Sequence, residues 1–322
     1  MDIIINLVLI TVGFLLLIKG ADLLVVGASS LAKRYNVSDI AIGLTVVAMG
    51  TSAPELVVNI ISGTSGYNEV VFGNIIGSNI FNMFLILGIA AVIYPLAVQK
   101  NTLWKEIPYS LVVTVIFFFL VNDVLFMGSE SNTLGLIDSI ILIVLFVVFL
   151  VQVFFGMKRS GDTDTDEIEI LNNPKTVAMI LGGIVGLAGG GKLIVDNAVE
   201  IATIFGVSQK LIGLTILAAG TSLPELATTA VAAFQKKPDL AIGNIVGSNI
   251  FNILLVLGMT GLISAPLDYP AVLNVDLYMV MIGTFMLFIF MFTFDKYKLD
   301  RAEGALYLVG FVGYMVYLFT RL

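Results

Sequence analysis

Neither cysteine nor histidine occurs in the 322 residues. That excludes disulfides, thiolate or imidazole metal sites and nucleophilic Cys or His chemistry, so any bound metal must be held by oxygen. An all-oxygen donor set suits hard cations such as calcium, sodium or magnesium and argues against zinc and copper. Charge is scarce too: Asp, Glu, Lys and Arg make up 12% of the chain against 58% hydrophobic residues, and the mean hydropathy is +1.05. No water-soluble domain is built that way. The net charge of -7 leaves no basic stripe for nucleic acid, and nothing marks an enzyme or calls for a cofactor. The first apolar run, from Ile3, has no basic segment before it and no small-residue cleavage pattern, so it reads as a retained span.

What is abundant is apolar length. Spans are expected at about 3–32, 37–64, 68–94, 103–122, 134–156, 174–204, 207–234, 238–264, 270–293 and 302–320. The fold class is therefore all-α, a polytopic protein of the lipid bilayer with ten transmembrane helices as two repeats of five. Residues 1–156 form the first repeat, 157–173 an acidic linker and 174–322 the second repeat. Alternate loops carry Lys33, Arg34, Lys100, Lys105, Lys158, Arg159, Lys175, Lys236, Lys237, Lys296, Lys298 and Arg301, while the opposite side carries only Lys210 and Arg321. By the positive-inside rule the basic loops are cytoplasmic and both termini face outward. Because each repeat has an odd number of spans, the two repeats must enter the membrane from opposite faces.

One stretch occurs twice. Residues 43–88 open with Gly43-Leu44-Thr45, pass through Gly50-Thr51-Ser52-Ala53-Pro54-Glu55 and include Gly73-Asn74-Ile75-Ile76-Gly77-Ser78-Asn79-Ile80-Phe81-Asn82. At an offset of 170, residues 213–258 hold Gly213-Leu214-Thr215, Gly220-Thr221-Ser222-Leu223-Pro224-Glu225 and a second decapeptide, Gly243 to Asn252, that differs only by Val246 for Ile76. Pro breaks a helix, and an ionisable group at bilayer depth is costly and functional by default. Their pairing at matching points of two halves points to a transporter binding site. The break frees carbonyls near Gly50, Thr51 and Ala48, and near Gly220, Thr221 and Ala218, as neutral cation ligands, while Glu55 and Glu225 supply charge. Two carboxylates brought together would repel unless a cation or protons lay between them. In the decapeptides, Gly73 and Gly77 share a helical face that lets the helices approach closely. Ser78, Asn82, Ser248 and Asn252 add oxygen ligands, and Asn74, Asn79, Asn244 and Asn249 bond across helices.

Other charges read as structural. Lys19 and Asp22, and Lys192 and Asp196, have helical spacing for pairing. The run from Asp162 begins like a calcium loop, but Glu167 stands where Gly is needed and Asn173 where Glu is needed, so it reads as a solvated linker.

At these motifs the chain resembles a prokaryotic member of the calcium/cation antiporter superfamily, in its sodium/calcium exchanger-like branch. The two blocks match that family's alpha-repeats, and the similarity covers essentially the whole chain. The resemblance implies a central calcium site from Glu55, Glu225 and the Thr51 and Thr221 carbonyls. It also implies flanking sodium sites lined by Ala48, Ser52, Ser78, Ala218, Ser222 and Ser248. Some relatives carry Asp where this chain has Asn252, which argues against potassium dependence. The linker is too short for the regulatory domains of animal exchangers. The expectation is a calcium-for-sodium antiporter in a prokaryotic plasma membrane, with calcium/proton exchange as the nearest alternative and a calcium-permeable channel as the alternative of another class. No oligomeric state follows from the sequence.

Overall fold

The computed structural model describes residues 3–156, 171–205, 218–293 and 295–321, nearly all of them helical. Besides a short helix at Asp123–Met127, the helices in chain order are α1 (Ile3–Tyr35), α2 (Asp39–Thr51), α3 (Ala53–Thr64), α4 (Asn68–Ile93), α5 (Thr102–Leu120), α6 (Leu136–Gly156), α7 (Asn173–Ile204), α8 (Ala218–Thr221), α9 (Leu223–Phe234), α10 (Pro238–Ser264), α11 (Ala271–Phe290) and α12 (Arg301–Arg321). Among the described residues eight helices are long and apolar enough to cross a membrane, and the bent pair α2 and α3 makes a ninth. α9 is a shorter apolar helix that follows residues outside the described set. Also outside it lie the linker up to residue 170 and the Gly213-Leu214-Thr215 motif.

The ends of the helices follow from local chemistry. Asn172 caps α7, its Oδ1 accepting from the Lys175 N–H at 2.9 Å, and Pro174 sits in the first turn where no N–H is needed. α12 opens with a reciprocal box: Asp300 Oδ1 accepts from the Ala302 and Glu303 N–H groups at 2.8 and 3.0 Å, and Glu303 Oε2 accepts from the Asp300 N–H at 3.0 Å. The turn from α3 into α4 passes through Gly66 at φ 78°, and the turn from α9 into α10 through Lys236 at φ 57°. These two positions are 170 apart.

Helices that are apolar all round have no single face to bury, so small residues decide which backbones touch. α1 and α7 run antiparallel along a glycine seam. A Cβ at Gly20 would lie 2.9 Å from the Gly183 carbonyl, and one at Gly190 would lie 2.6 Å from the Gly13 carbonyl. A second seam joins α2 to α10, where a Cβ at Gly243 would lie 3.0 Å from Gly43 Cα. α10 and α4 are the most buried helices and form the centre of the bundle, while α12, α6 and α1 present most of their length outward. The outward apolar side chains, such as Ile4, Val185 and Val309, are those a bilayer would cover.

Two short ribbons tie the loops. Strand β1 (Leu96–Ala97) pairs with β4 (Lys298–Leu299), and β2 (Thr133–Leu134) pairs with β3 (Leu267–Asp268). Lys192 and Asp196 form the expected ion pair at 2.8 Å. Asp22 instead accepts from Gln235 Nε2 at 2.7 Å, because the turn after α9 packs against α1 and brings a donor from outside the helix.

Candidate cation site

The span expected at 37–64 is bent by 46° between α2 and α3. Its pivot is Ser52, at φ -83° and ψ 5°, and Ser222 before α9 has nearly the same conformation at -89° and 4°. Pro54 and Pro224 lie in the first turns of α3 and α9. With no N–H, Pro54 leaves the Gly50 carbonyl without its helical donor. The backbone bonds across this break run from Ser52 N–H to the Ala48 carbonyl at 2.9 Å and from Leu56 N–H to the Ser52 carbonyl at 3.2 Å. The Ala48 carbonyl therefore keeps a helical bond, and Thr51 Oγ1 also approaches it at 3.3 Å. Ala218 opens α8, just before the second break.

Glu55 and Glu225 occupy the first turns beyond the breaks, where the helix dipole favours a carboxylate, and both are fully buried. The two halves interlock here. Ser52 Oγ donates to Glu225 Oε1 at 3.2 Å, and Ser248 Oγ lies 3.5 Å from the same oxygen. Thr51 Oγ1 donates to Asn244 Oδ1 at 3.1 Å and lies 3.4 Å from Ser248 Oγ. Thr221 Oγ1 donates to Asn74 Oδ1 at 3.2 Å, the same contact with the halves exchanged. Asn82 Nδ2 donates to Asn249 Oδ1 and Asn252 Nδ2 to Asn79 Oδ1, each at 3.0 Å. α4 and α10 each contain a π-helical segment here, Phe81–Ile86 and Asn252–Leu257, a distortion that is frequent at functional sites.

Buried polar atoms are nearly always hydrogen-bonded. Around these breaks, seven side-chain oxygens are buried with no hydrogen-bond partner among the described residues: Glu55 Oε1 and Oε2, Glu225 Oε2, Ser78 Oγ, Ser222 Oγ, Asn82 Oδ1 and Asn252 Oδ1. With the amide nitrogens of Asn82 and Asn252 tied to Asn249 and Asn79, it is their oxygens that remain to be satisfied. A calcium ion takes six to eight such ligands. No group of three or more Asp or Glu side chains that could hold a metal occurs among the described residues, so the formal charge here is that of two carboxylates. Among the described residues Glu225 Oε1 accepts from Ser52, while the matching atoms Ser222 Oγ, Ser78 Oγ and both Glu55 oxygens have no hydrogen-bond partner within hydrogen-bond distance.

Two buried residues were absent from the sequence reading. Asn59 Oδ1 accepts from Asn74 Nδ2 at 2.7 Å, and Thr229 Oγ1 accepts from Asn244 Nδ2 at 2.9 Å. The signal was present: positions 59 and 229 are again 170 apart, each polar and one helical turn beyond a glutamate.

The family described as sodium/calcium exchanger protein matches residues 5–155 and 175–320. The inner membrane protein YrbG of Escherichia coli (strain K12) is 34% identical over 317 residues, covering 97% of this chain and 96% of its own. Sodium/calcium exchanger MaX1 of Methanosarcina acetivorans is 31% identical over 352 residues, covering 98% and 99%. A solved structure of the sodium-calcium exchanger NCX_Mj, soaked with 10 mM Na+ and zero Ca2+, superposes with a TM-score of 0.83 at 30% identity, covering 98% of this chain and 99% of that one.

Proposed function

The chain belongs to the sodium/calcium exchanger family, and on that premise we propose that it exchanges calcium for sodium by alternating access, with Glu55 and Glu225 at the centre of one shared site. It is a multi-pass membrane antiporter and not an enzyme. The observation that carries the sodium/calcium reading is the set of seven unsatisfied buried oxygens around the bend between α2 and α3 and the Ser222 turn before α9. Most of them are hydroxyl and amide oxygens, which coordinate metal ions and have no need of a proton. MaX1 and NCX_Mj are both called sodium/calcium exchangers.

Charge counting alone gives two sodium ions for one calcium ion, and the third sodium ion is what the family resemblance suggests. One calcium ion or two sodium ions neutralise the two glutamates, while Asn82 and Asn252 add no charge. A third sodium ion rests only on neutral oxygens, so it binds more weakly than the other two, and its movement transfers one net charge per cycle. Proteoliposomes at clamped pH test this. Calcium uptake should require a sodium gradient and give a current on solid-supported membranes. Uptake that follows a pH gradient and ignores sodium makes the protein a proton antiporter. Sodium-dependent uptake without current leaves two-for-one exchange.

The reading includes ten spans in two inverted repeats, in a prokaryotic plasma membrane with both ends outside. Reciprocal bonds support the repeats: Thr51 to Asn244 and Thr221 to Asn74, Asn82 to Asn249 and Asn252 to Asn79, all related by the offset of 170. The ribbons support the topology, since each pairs two loops that ten spans would put on one side. Single cysteines in this cysteine-free chain report the orientation. In whole cells, an impermeant thiol reagent should label Ser131→Cys and spare Lys296→Cys, and the opposite pattern would invert the assignment.

A further inference from the structure

α1 packs along α9, yet α7 has no comparable packing along α3, the pair of helices that the offset of 170 puts in the same relation. Two side-chain bonds fasten α1 to the turn after α9. Gln235 Nε2 donates to Asp22 Oδ1 at 2.7 Å, and Lys237 Nζ donates to Ser29 Oγ at 2.8 Å. Ser29 is fully buried and gives its own proton to the Val25 carbonyl at 2.8 Å, which leaves its oxygen to accept from the ammonium. The other half lacks this chemistry. Lys192, Ser65, Val199 and Tyr67 stand at the positions matching Asp22, Gln235, Ser29 and Lys237. Lys192 pairs with Asp196 on its own helix, the Val199 side chain has no polar atom, and Ser65 and Tyr67 are exposed. α9 runs from Glu225 to the fastened turn, so its α1 side lies between the cation site and the face that carries Lys33, Arg34, Lys236 and Lys237. Thr228 is on that side. It stands two helical turns before Gln235, it is buried, and its Oγ1 has no hydrogen-bond partner among the described residues. Its counterpart Val58 is apolar and half-buried.

We propose that the Asp22–Gln235 and Ser29–Lys237 bonds are a latch that holds α1 on α9 and closes the route from the cation site to the basic face, a route that runs past Thr228. The latch rests on the alternating-access exchange proposed above and gives it a resting side. Each bond joins a charged group to a neutral one where water is scarce, so each resists the separation of α1 from α9. Nothing equivalent holds α7 against α3, and the two routes are therefore unequal: one is fastened and the other is not. When both bonds release, α1 parts from α9 and the Thr228 hydroxyl becomes an oxygen that a partly dehydrated cation leaving Glu225 can touch.

Single cysteines in this cysteine-free chain read the closure. Thr228→Cys should react slowly with a small cationic methanethiosulfonate reagent in purified protein, because only the minor, open fraction admits it. On that background Gln235→Leu and Lys237→Met should each raise the rate roughly tenfold, the factor expected for losing one hydrogen bond to a charged group, and the pair should raise it further. Gln235→Ala serves if the leucine variant does not fold. Asp22→Asn keeps the acceptor and should lose only part of the closure, about threefold against tenfold. Asp22→Leu combined with Gln235→Leu should be no faster than either change alone, since both remove the same bond. Thr284→Cys, buried in α11, reports general loosening and should stay slow in every variant. Unchanged labelling at position 228 in both Gln235→Leu and Lys237→Met, or an equal acceleration at position 284, overturns the latch, while sodium-driven calcium uptake by wild-type proteoliposomes upholds the exchange. Wild-type protein that takes up no calcium under a sodium gradient overturns the exchange and the latch's part in it together.

Discussion

Glutamine at position 55 or 225 should abolish calcium transport and leave a folded protein. Each glutamate is fully buried in the first turn beyond a broken helix, and glutamine keeps its size and an oxygen that Ser52 can still reach in the case of Glu225. What disappears is one of two negative charges facing a divalent ion. At an effective dielectric of about 20 and a contact of about 2.4 Å, that charge is worth on the order of 10 kcal/mol of gross attraction to calcium. Dehydrating the ion offsets much of this, but only about 4 kcal/mol need survive for a thousandfold loss of affinity. The stability effect has the opposite sign. Without an ion, two buried carboxylates are a cost to the fold, so each variant should melt no lower than wild type in ion-free buffer while losing the calcium-dependent rise in melting temperature. A variant with near wild-type flux would remove that glutamate from the site.

Gly243→Leu should fail in the other way, by preventing α2 and α10 from meeting. A Cβ there would lie 2.8 Å from the Ile40 carbonyl, 3.0 Å from Gly43 Cα and 3.0 Å from the Leu44 nitrogen. All three are backbone atoms, so no change of rotamer relieves the clash. Overpacking of this kind costs about 1–3 kcal/mol or more, and here it also separates the helices that carry Thr51, Asn244 and Ser248. Those contacts, at 3.1 and 3.4 Å, do not survive a further ångström of separation. Even Gly243→Ala should lower the melting temperature and weaken calcium binding together, whereas Gly313→Ala, where a Cβ meets nothing within 4 Å, should do neither. A Gly243→Ala protein that melts and binds calcium as wild type does would show that the seam can yield.

Much of the molecule was legible in the residues because the strongest constraints are local or compositional. An apolar run long enough to span a bilayer becomes a helix wherever it lies, since no other conformation satisfies its backbone in lipid. Thus α10, at Pro238–Ser264, stands where the span at 238–264 was expected. The absence of Cys and His restricts a metal site to oxygen, and a Pro beside a Glu in an apolar run marks the break. Tertiary structure decided the partners. That Asp22 bonds to Gln235 and not to Lys19, that Thr51 meets Asn244 and that Ser52 reaches Glu225 all depend on helices distant in the chain. In helices apolar on every side, periodicity selects no face. The direction of each buried amide and the choice of each glycine contact are then set only when the backbones close on one another.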